Sequence, residues 1–394
     1  MSKTVIPNSS IWLFPLSSEI KTMYLNGAVF ENYRNIGSFS FSFDPGINIL
    51  YGKNAQGKTN VIEGIYLFGS GKSFRHARER DLIRYDCDHA QVAITYTDSV
   101  RENKMNYRVF RDTPKEISKN GIKVGRMSGF IGNFKAVLFC PEHLSIVKNE
   151  PAERRSFLDG AISQFHRPYL SALMEYKKLL EQRNALLKNY EKNKDGFALT
   201  AEVISEKLAA DAAFITEIRA KYLQRLFALV NGYLHEMTGG KETVGFQYLS
   251  AIADEDIEAL FDREENFKKY KRLFTKDIQK EIIIGTTLSG SHKDDFEIRL
   301  NGMNAKYFAS QGQQRSIALA MKLAEGELSR QEGGEYPVFL LDDVLSELDR
   351  ERKNYILSEL HGRQVIITTC DENDFKDVSN ATKIYVENGT YAYM

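Results

Sequence analysis

The chain has 394 residues, 42% of them hydrophobic and 27% charged, which is the composition of a folded globular protein and a length that favours two lobes. Lysine and arginine together number 53, as do aspartate and glutamate, so the net charge provides no attraction for nucleic acid or an anionic membrane. Three scattered cysteines without a C-x-x-C pair argue against a disulfide framework and a zinc site, and they favour a reducing, cytoplasmic location.

The start of the chain carries no strong structural pattern. Its main apolar stretch, Ile11–Leu16, is interrupted by Pro15 and is too short for a signal peptide or a membrane-spanning helix. We therefore expect residues 1–22 to form a flexible N-terminal extension, and we expect no membrane association.

Two strands are predicted ahead of the first motif. Tyr24–Phe30 is rich in apolar and aromatic residues. Serine and phenylalanine alternate over Ser38–Phe43, which places three phenylalanines on one buried face before the turn at Asp44–Gly46.

The segment Gly52–Thr59 fits the pattern G-x-x-x-x-G-K-[ST] between an apolar strand, Ile47–Tyr51, and a helical stretch, as a phosphate-binding loop requires. Its backbone N–H groups and the helix N-terminus attract anions, Lys58 can reach the β- and γ-phosphates, and the Thr59 hydroxyl can bind Mg²⁺. A glycine-rich turn that binds nothing fits this context less well. We predict an ATP site formed by Gly52, Lys53, Asn54, Ala55, Gln56, Gly57, Lys58, Thr59 and Asn60.

The middle of the chain changes from strand to helix. Strand patterns between Gln91 and Val124, with a hairpin at Asn120-Gly121, predict an antiparallel sheet after the loop. Beyond the strand Ala136–Cys140, apolar residues recur at helical spacing over 153–159, 170–190 and 201–237. We therefore predict a first part of lobe I at 23–150, a helical lobe II at 151–284, and a return to lobe I at 285–394.

A serine-glutamine turn opens the next helix. It follows a second predicted hairpin, at Asn301-Gly302, between strands at 295–300 and 303–308. Because Ser310–Arg315 lies at the start of a helix, its serine hydroxyl and backbone N–H groups are presented to an anion.

A pair of carboxylates ends the apolar strand that begins at Val338. Such a strand delivers its last residues to the edge of a nucleotide pocket, so we predict Asp342 as a Mg²⁺ ligand and Asp343 as the residue that polarises the attacking water. This strand is weak evidence by itself, but together with the phosphate loop it indicates a hydrolytic site.

In their order along the chain, these motifs resemble those of ABC-type ATPases, with Ser310–Arg315 similar to the signature motif and Ser346–Asp349 similar to the D-loop. From Met23 onward the chain resembles the RecF family of bacterial recombination mediator ATPases, through Phe30–Asn35, Gly71–Arg75, Phe139–Leu144, Lys148–Asp159, Gly290–Asp295 and Leu340–Asp349. The resemblance implies an α/β fold, in which an ABC-type ATPase head combines a mixed parallel core sheet and an antiparallel sheet with an inserted helical lobe.

The resemblance also implies a homodimer in which Ser310, Gln311 and Gly312 of one subunit close over ATP held by Lys58 of the other. It assigns catalysis to Asp343 and Lys58, adds Arg34 to the nucleotide site, and names ATP and Mg²⁺ as cofactors. The implied function is that of a recombination mediator, which dimerises on ATP, binds DNA at single-strand gaps and helps to load recombinase during replication repair. RecR, RecO and RecA are the implied partners.

Two departures from transporter ATPases imply weak hydrolysis, and we separately expect DNA to stimulate it. Asp343 is one methylene shorter than the usual glutamate, and Ile367–Asp371 offers Thr369 or Cys370 where the switch histidine is absent.

The DNA contacts are less readable from the sequence. Exposed helical charges are common on solvated faces, and His292 beside two aspartates is more typical of a structural residue. The candidate contacts are Arg154, Arg155, Lys177, Lys178, Lys268, Lys269 and Arg272. Two other classes stay open: an ATP-binding transporter subunit, which the signature sequence and long insertion fit poorly, and an SMC-like chromosome-structuring head, which needs much longer heptad segments.

Overall fold

A computed structural model describes residues 21–192, 194–253, 256–375, 378 and 380–394. The chain forms two compact units. Of the described residues, those within 21–145 and 318–394 form lobe I, and those within 146–317 form lobe II. The predicted extension at 1–22 lies outside the described residues except for its last two, of which Thr22 forms a parallel bridge with Tyr336.

Lobe I is built around a six-stranded sheet. Its strands are β3 (Ile47–Tyr51), β8 (Ala136–Phe139), β12 (Val338–Asp342), β13 (Val365–Thr369), β14 (Thr382–Glu387) and β15 (Thr390–Tyr393). They lie in the order β15-β14-β3-β13-β12-β8, and every neighbouring pair except the β14–β15 hairpin is parallel. Strands β8, β12 and β13 are buried along their whole length, which explains the apolar runs 136–139, 338–341 and 365–367.

A second, antiparallel sheet completes lobe I. It consists of β1 (Tyr24–Tyr33), β2 (Ile36–Ser42), β4 (His89–Thr97), β5 (Glu102–Phe110), β6 (Glu116–Lys119) and β7 (Ile122–Lys123). The order is β2-β1-β4-β5-β6-β7, so β1 and β2, which precede the phosphate loop in the chain, lie in one sheet with β4–β7, which follow it. The predicted hairpin at Asn120-Gly121 is confirmed, with positive φ angles at both residues.

Helix α1 (Lys58–Ser70) packs between the two sheets of lobe I. Gly64 permits this approach, because a Cβ atom there would lie 2.3 Å from the Phe30 ring. Of the three phenylalanines predicted on one face, Phe41 and Phe43 are buried and Phe39 is half-buried against the same core. One apolar cluster in lobe I is thus shared by both sheets and α1.

Lobe II is mainly helical, as predicted. Its helices are α2 (Pro151–Ser163), α3 (Arg167–Lys188), α4 (Lys194–Thr238), α5 (Arg263–Lys276), α6 (Ile278–Ile284) and α7 (Ala305–Phe308). Helix α8 (Gln311–Gly333) begins in lobe II and continues into lobe I, where α9 (Arg350–Glu359) follows β12.

A three-stranded antiparallel sheet accompanies these helices. Strands β9 (Val244–Leu249), β10 (Asp295–Leu300) and β11 (Met303–Asn304) lie in the order β11-β10-β9. This pairing differs from the expected return to lobe I at residue 285, because β10 joins β9 and residues 285–317 therefore belong to the compact unit of lobe II. The strand predicted over 303–308 was also too long: the Asn304 side chain accepts a hydrogen bond from Lys306 N–H and starts the short helix α7.

The predicted α/β class, with a parallel core, an antiparallel sheet and a helical lobe, is confirmed. Within the described part of the chain, no helix is long and apolar enough to cross a membrane.

Candidate nucleotide site

The phosphate loop connects the end of β3 to the start of α1. Gly52 has a φ of 150° and Gly57 a φ of 114°, both in a range that favours glycine. A Cβ atom at Gly52 would lie 2.2 Å from the Val386 carbonyl oxygen, so the strand needs glycine there for close approach as well. None of the described side chains caps the start of α1, so the first N–H groups of that helix can face an anion in the loop.

The Lys58 side chain folds back over this loop. Its Nζ donates hydrogen bonds to the carbonyl oxygens of Gly52 at 2.7 Å and Lys53 at 2.8 Å. Burial lowers the pKa of Lys58, while the nearby carboxylates of Asp343 and Asp342 oppose that shift. The ammonium group is therefore held in position before any phosphate arrives.

Two segments remote in sequence brace the loop. Asn35 Nδ2 donates to the Gln56 carbonyl oxygen at 3.1 Å, and Asn35 Oδ1 accepts a hydrogen bond from Asn60 Nδ2 at 2.7 Å. From the β14–β15 hairpin, the Gly389 N–H donates to the same Gln56 carbonyl oxygen at 3.1 Å. The loop is thus fixed on both sides, and the sequence motif alone did not identify either support.

Asp342 stands at the end of β12, beside the start of α1. Its Oδ1 accepts hydrogen bonds from the Thr59 hydroxyl at 2.9 Å and the Thr368 hydroxyl at 2.7 Å. Burial raises the pKa of Asp342, and these two hydrogen bonds act in the opposite direction. The structure therefore brings together the two residues that the sequence predicted as Mg²⁺ ligands, Thr59 and Asp342.

The donor set suits Mg²⁺ chemically. Carboxylate and hydroxyl oxygens are hard ligands, and Mg²⁺ in nucleotide sites takes few protein ligands because phosphate oxygens and waters supply the rest. Among the residues that the structure describes, no cluster of three or more His, Cys, Asp or Glu side chains could hold a metal without such help.

Asp343 follows in a left-handed conformation, with a φ of 51°. Its N–H donates to the Thr368 carbonyl oxygen at 3.1 Å, and its own carbonyl oxygen accepts from the Ser346 hydroxyl at 2.7 Å. In contrast, its Oδ1 is buried with no hydrogen-bond partner among the described residues. Burial raises the pKa of Asp343, and the nearby Lys58 ammonium lowers it.

Thr368 was missed by the sequence reasoning, which offered Thr369 or Cys370 in place of a switch histidine. The Thr369 hydroxyl donates to Asp374 at 2.5 Å, and Cys370 is exposed. Because side chains alternate along a strand, Thr368 and Thr369 point to opposite faces of β13, and only Thr368 contacts Asp342. The sequence marks both threonines at a strand end but does not specify which one faces Asp342.

In lobe II, Ser310 caps the start of α8. Its Oγ accepts a hydrogen bond from the Gln313 N–H at 3.2 Å, while Gln313 Oε1 accepts from the Ser310 N–H at 2.8 Å, which is a reciprocal capping box. Both Ser310 and Gln311 are exposed, and Gly312 is half-buried. None of the described residues accepts the Ser310 hydroxyl proton, so this group can donate to an external ligand.

Arg34, predicted to contact nucleotide, has other partners. Its Nη2 and Nε donate to the two Glu63 carboxylate oxygens at 2.7 Å and 2.9 Å, and its Nη1 donates to the Asp81 carbonyl oxygen at 2.8 Å. Glu63 is completely buried in α1. This bidentate pair favours a structural role for Arg34, joining the β1–β2 turn to α1.

The predicted DNA contacts differ in their availability. Arg154 is buried and forms a bidentate pair with Asp295 at 2.6 Å and 2.7 Å, so it is withdrawn as a candidate. Arg155 donates to the Asp294 carbonyl oxygen, and half-buried Lys269 donates to that of Ile252. The remaining candidates are exposed: Lys177, Lys178, Lys268 and Arg272.

These features define an ABC-type ATPase head. A phosphate loop and an aspartate pair lie at the same edge of a parallel core sheet, and a capped serine-glutamine turn lies in a separate helical lobe. Comparisons with known proteins agree. The chain belongs to the RecF family. The sequence model of the RecF/RecN/SMC N-terminal domain matches residues 24–392.

Individual relatives match over almost their whole length. The DNA replication and repair protein RecF of Clostridium acetobutylicum is 37% identical over 373 residues, which are 94% of this chain and 99% of that protein. The RecF of Lactobacillus acidophilus is 38% identical over 372 residues, 93% of this chain and 98% of that protein.

Solved structures extend the comparison to the fold. The recombination mediator protein RecF with ATP, from the RecFOR pathway, superimposes with a TM-score of 0.88 at 34% identity, covering 95% of this chain and 98% of that one. The Smc head domain of Pyrococcus furiosus reaches a TM-score of 0.54 at 16% identity over 95% of this chain and 96% of that one, which shows a shared fold alone.

Proposed function

We propose that this protein is an ATP-dependent recombination mediator, which dimerises on ATP, binds DNA at single-strand gaps and helps to load recombinase during replication repair. The observation that carries the ATP-hydrolysis part of the proposal is the Asp343 carboxylate, positioned beside Lys58 with a buried Oδ1 that has no partner among the described residues. A carboxylate in that place has the chemistry to accept a hydrogen bond from the attacking water. The names of the RecF relatives supply the biological setting.

The residues of lobe I divide the work of ATP hydrolysis. The Gly52–Thr59 loop donates N–H groups to the phosphates, and Lys58 exchanges its bonds with the loop carbonyls for the β- and γ-phosphate oxygens. Asp343 orients the water for attack on the γ-phosphate. Thr59 and Asp342 would hold Mg²⁺, which supplies neutralisation of the charge that develops on the phosphate oxygens. Hydrolysis is slow because the shorter Asp343 positions water less well than a glutamate.

The exposed Ser310 turn supplies the second half of the site. We assign its hydroxyl and the first N–H groups of α8 to the γ-phosphate of ATP bound by another copy. ATP then forms part of the interface, so ATP binding and dimerisation strengthen each other reciprocally. A coupling of ~1–3 kcal/mol changes dimer affinity roughly five- to 150-fold. Loss of the γ-phosphate releases the dimer, and DNA that stabilises the closed form stimulates hydrolysis.

The partners and location follow from the same proposal. We propose DNA with single-strand gaps as the nucleic acid that the protein binds. RecR and RecO are the proposed protein partners, and RecA is the recombinase that would be loaded. The proposed place of action is the cytoplasm.

Sizing chromatography with ATP, a slowly hydrolysed ATP analogue or ADP tests the nucleotide and dimer parts. We expect Lys58→Ala to lose nucleotide binding and dimerisation together. We expect Ser310→Ala to bind ATP as a monomer but to form no ATP-driven dimer, and Ser310→Thr, which keeps the hydroxyl, to dimerise.

A matched control distinguishes the loss of the Ser310 hydroxyl as an ATP ligand from the loss of the cap of α8. Gln313→Ala removes half of the capping box but leaves the Ser310 hydroxyl in place, so it should dimerise with ATP. If Ser310→Ala dimerises normally, the cross-subunit assignment is wrong. If the ATPase activity requires a membrane subunit and does not change when gapped DNA is added, the protein is a transporter subunit instead.

A further inference from the structure

A basic segment follows α1 in lobe I. Between Gly71 and Tyr85 it carries five basic residues against two acidic ones, and all five lie exposed at the surface. We call residues 71–85 the basic segment. Its basic side chains are those of Lys72, Arg75, Arg78, Arg80 and Arg84. None of them is among the predicted nucleotide-site residues, and they are absent from the helical charges that the sequence suggested as DNA contacts.

The acidic residues of the segment are already occupied. Glu79 accepts a hydrogen bond from Lys115, and Asp81 accepts one from the Arg78 N–H at 3.1 Å. Asp81 also lies 3.8 Å from Arg80, which is the only carboxylate contact of these basic side chains in the described part of the chain. The side-chain charges of Lys72, Arg75, Arg78 and Arg84 are therefore not neutralised by an ion pair there.

The backbone of the segment is held firmly. The Arg84 N–H donates to the Asn32 carbonyl oxygen at 2.8 Å, and Ile83 forms an antiparallel bridge with Tyr33. The Arg84 guanidinium lies against Gly37, where a Cβ atom would be 2.4 Å from Nη1. A rigid backbone lowers the entropy that ordering would cost when a ligand binds.

The segment also touches the phosphate loop. Arg75 Nη1 donates to Asn60 Oδ1 at 3.1 Å, and Asn60 follows directly after Thr59. The other side of the Asn60 amide donates to Asn35, which braces the loop. An anion that draws Arg75 away from Asn60 would therefore change the support of the nucleotide site.

Two of the predicted DNA contacts in lobe II already have acidic partners. Lys178 lies 3.6 Å from Glu175, and Lys268 lies 3.1 Å from Glu264. Such pairs reduce the gain from a phosphate contact, because an existing partner must be given up.

We propose that the basic segment of lobe I binds the phosphate backbone of DNA, and that the Arg75–Asn60 contact transmits its occupancy to the nucleotide site. This rests on the DNA binding in the proposed function but assigns it to a surface of lobe I. Spaced guanidinium groups suit phosphates along a strand, and they read charge rather than sequence.

The test measures DNA affinity of the full chain across a salt series with the slowly hydrolysed ATP analogue. The probes are duplex, single-stranded and gapped oligonucleotides of equal length. For Arg78→Gln/Arg84→Gln we expect weaker binding and a salt slope less negative by roughly two on duplex DNA, or somewhat less on single strands. ATP affinity and ATP-driven dimerisation should stay as in the unaltered protein.

Lys268→Gln/Arg272→Gln is the matched control, since it removes two exposed charges from lobe II. Unchanged DNA binding by Arg78→Gln/Arg84→Gln, together with a loss in this control, would overturn the assignment to lobe I. If the unaltered protein binds no DNA under any of these conditions, the proposed function itself fails, together with this inference.

Arg75→Gln tests the link to the nucleotide. We expect the ratio of DNA affinity with the ATP analogue to that without nucleotide to fall toward one. By reciprocity, DNA should then increase the affinity for the analogue less than it does in the unaltered protein. A ratio equal to that of the unaltered protein would overturn the coupling through Asn60.

Discussion

Replacement of Asp343 by asparagine changes one oxygen of the nucleotide site to an amide nitrogen and removes one charge. The residue has a φ of 51°, a conformation that asparagine tolerates as well as aspartate does, so the backbone should keep its shape. The hydrogen bonds of the Asp343 main chain to Thr368 and Ser346 do not involve the carboxylate and should also persist. The variant therefore isolates the side-chain charge.

The size of the effect follows from the role that the carboxylate plays. Its Oδ1 is buried and has no partner among the described residues, so it can orient a water and take its proton. General-base positioning of this kind contributes about 10²–10⁴-fold. Its loss should raise the barrier by about 3–5 kcal/mol. ATP affinity should be equal or higher, because a negative charge near the γ-phosphate is lost.

Single-turnover hydrolysis, with ATP affinity measured by equilibrium titration, separates these effects. We expect Asp343→Asn to hydrolyse ATP at least about 100-fold more slowly and to stay dimeric longer after ATP is added. Asp343→Glu serves as a control, since it keeps the charge and has the length found in transporter ATPases. A rate for Asp343→Asn within a factor of about three of the unaltered protein would refute the assignment of Asp343 to the attacking water.

Two further predictions concern acidity. Thr368→Val removes a hydrogen bond that lowers the pKa of Asp342, so the acidic limb of the ATPase pH profile should move to higher pH; an unmoved limb would contradict this. In lobe II, burial lowers the pKa of His292 to about 4. Between pH 6.5 and about 4 the unfolded chain therefore binds more protons than the folded chain does, and the folded state loses stability as pH falls. In urea unfolding at pH 4, His292→Gln should remove up to about 3 kcal/mol of that loss, whereas replacement of the exposed His235 by glutamine should not. If the free energy of unfolding falls equally with pH in both variants, the role of His292 is refuted.

Much of the nucleotide lobe could be predicted from local sequence. A phosphate loop has a fixed spacing and strong backbone requirements, so Gly52 and Gly57 fall where positive φ angles are needed. The apolar run before Asp342 identifies a buried parallel strand, and the structure places that carboxylate beside Thr59 as predicted. In such cases one segment contains nearly all the information that its conformation requires.

Other parts depended on contacts between distant segments. The choice of Thr368 over Thr369 depends on which face of β13 meets β12, and sequence alternation does not assign the faces. Arg154 carries the same charge as an exposed arginine, and only the fold reveals its pair with Asp295. The basic segment after α1 was overlooked because its charges stand among acidic residues, whose other partners the sequence does not disclose.

The position of β3 has a consequence during protein synthesis. Its two neighbours in the sheet, β13 and β14, are translated only after the whole of lobe II. A nascent chain on the ribosome therefore carries β3 with both edges unpaired, and such edges invite pairing with other chains. Ribosome stalling inside lobe II should leave a product that cannot retain nucleotide and depends on chaperones.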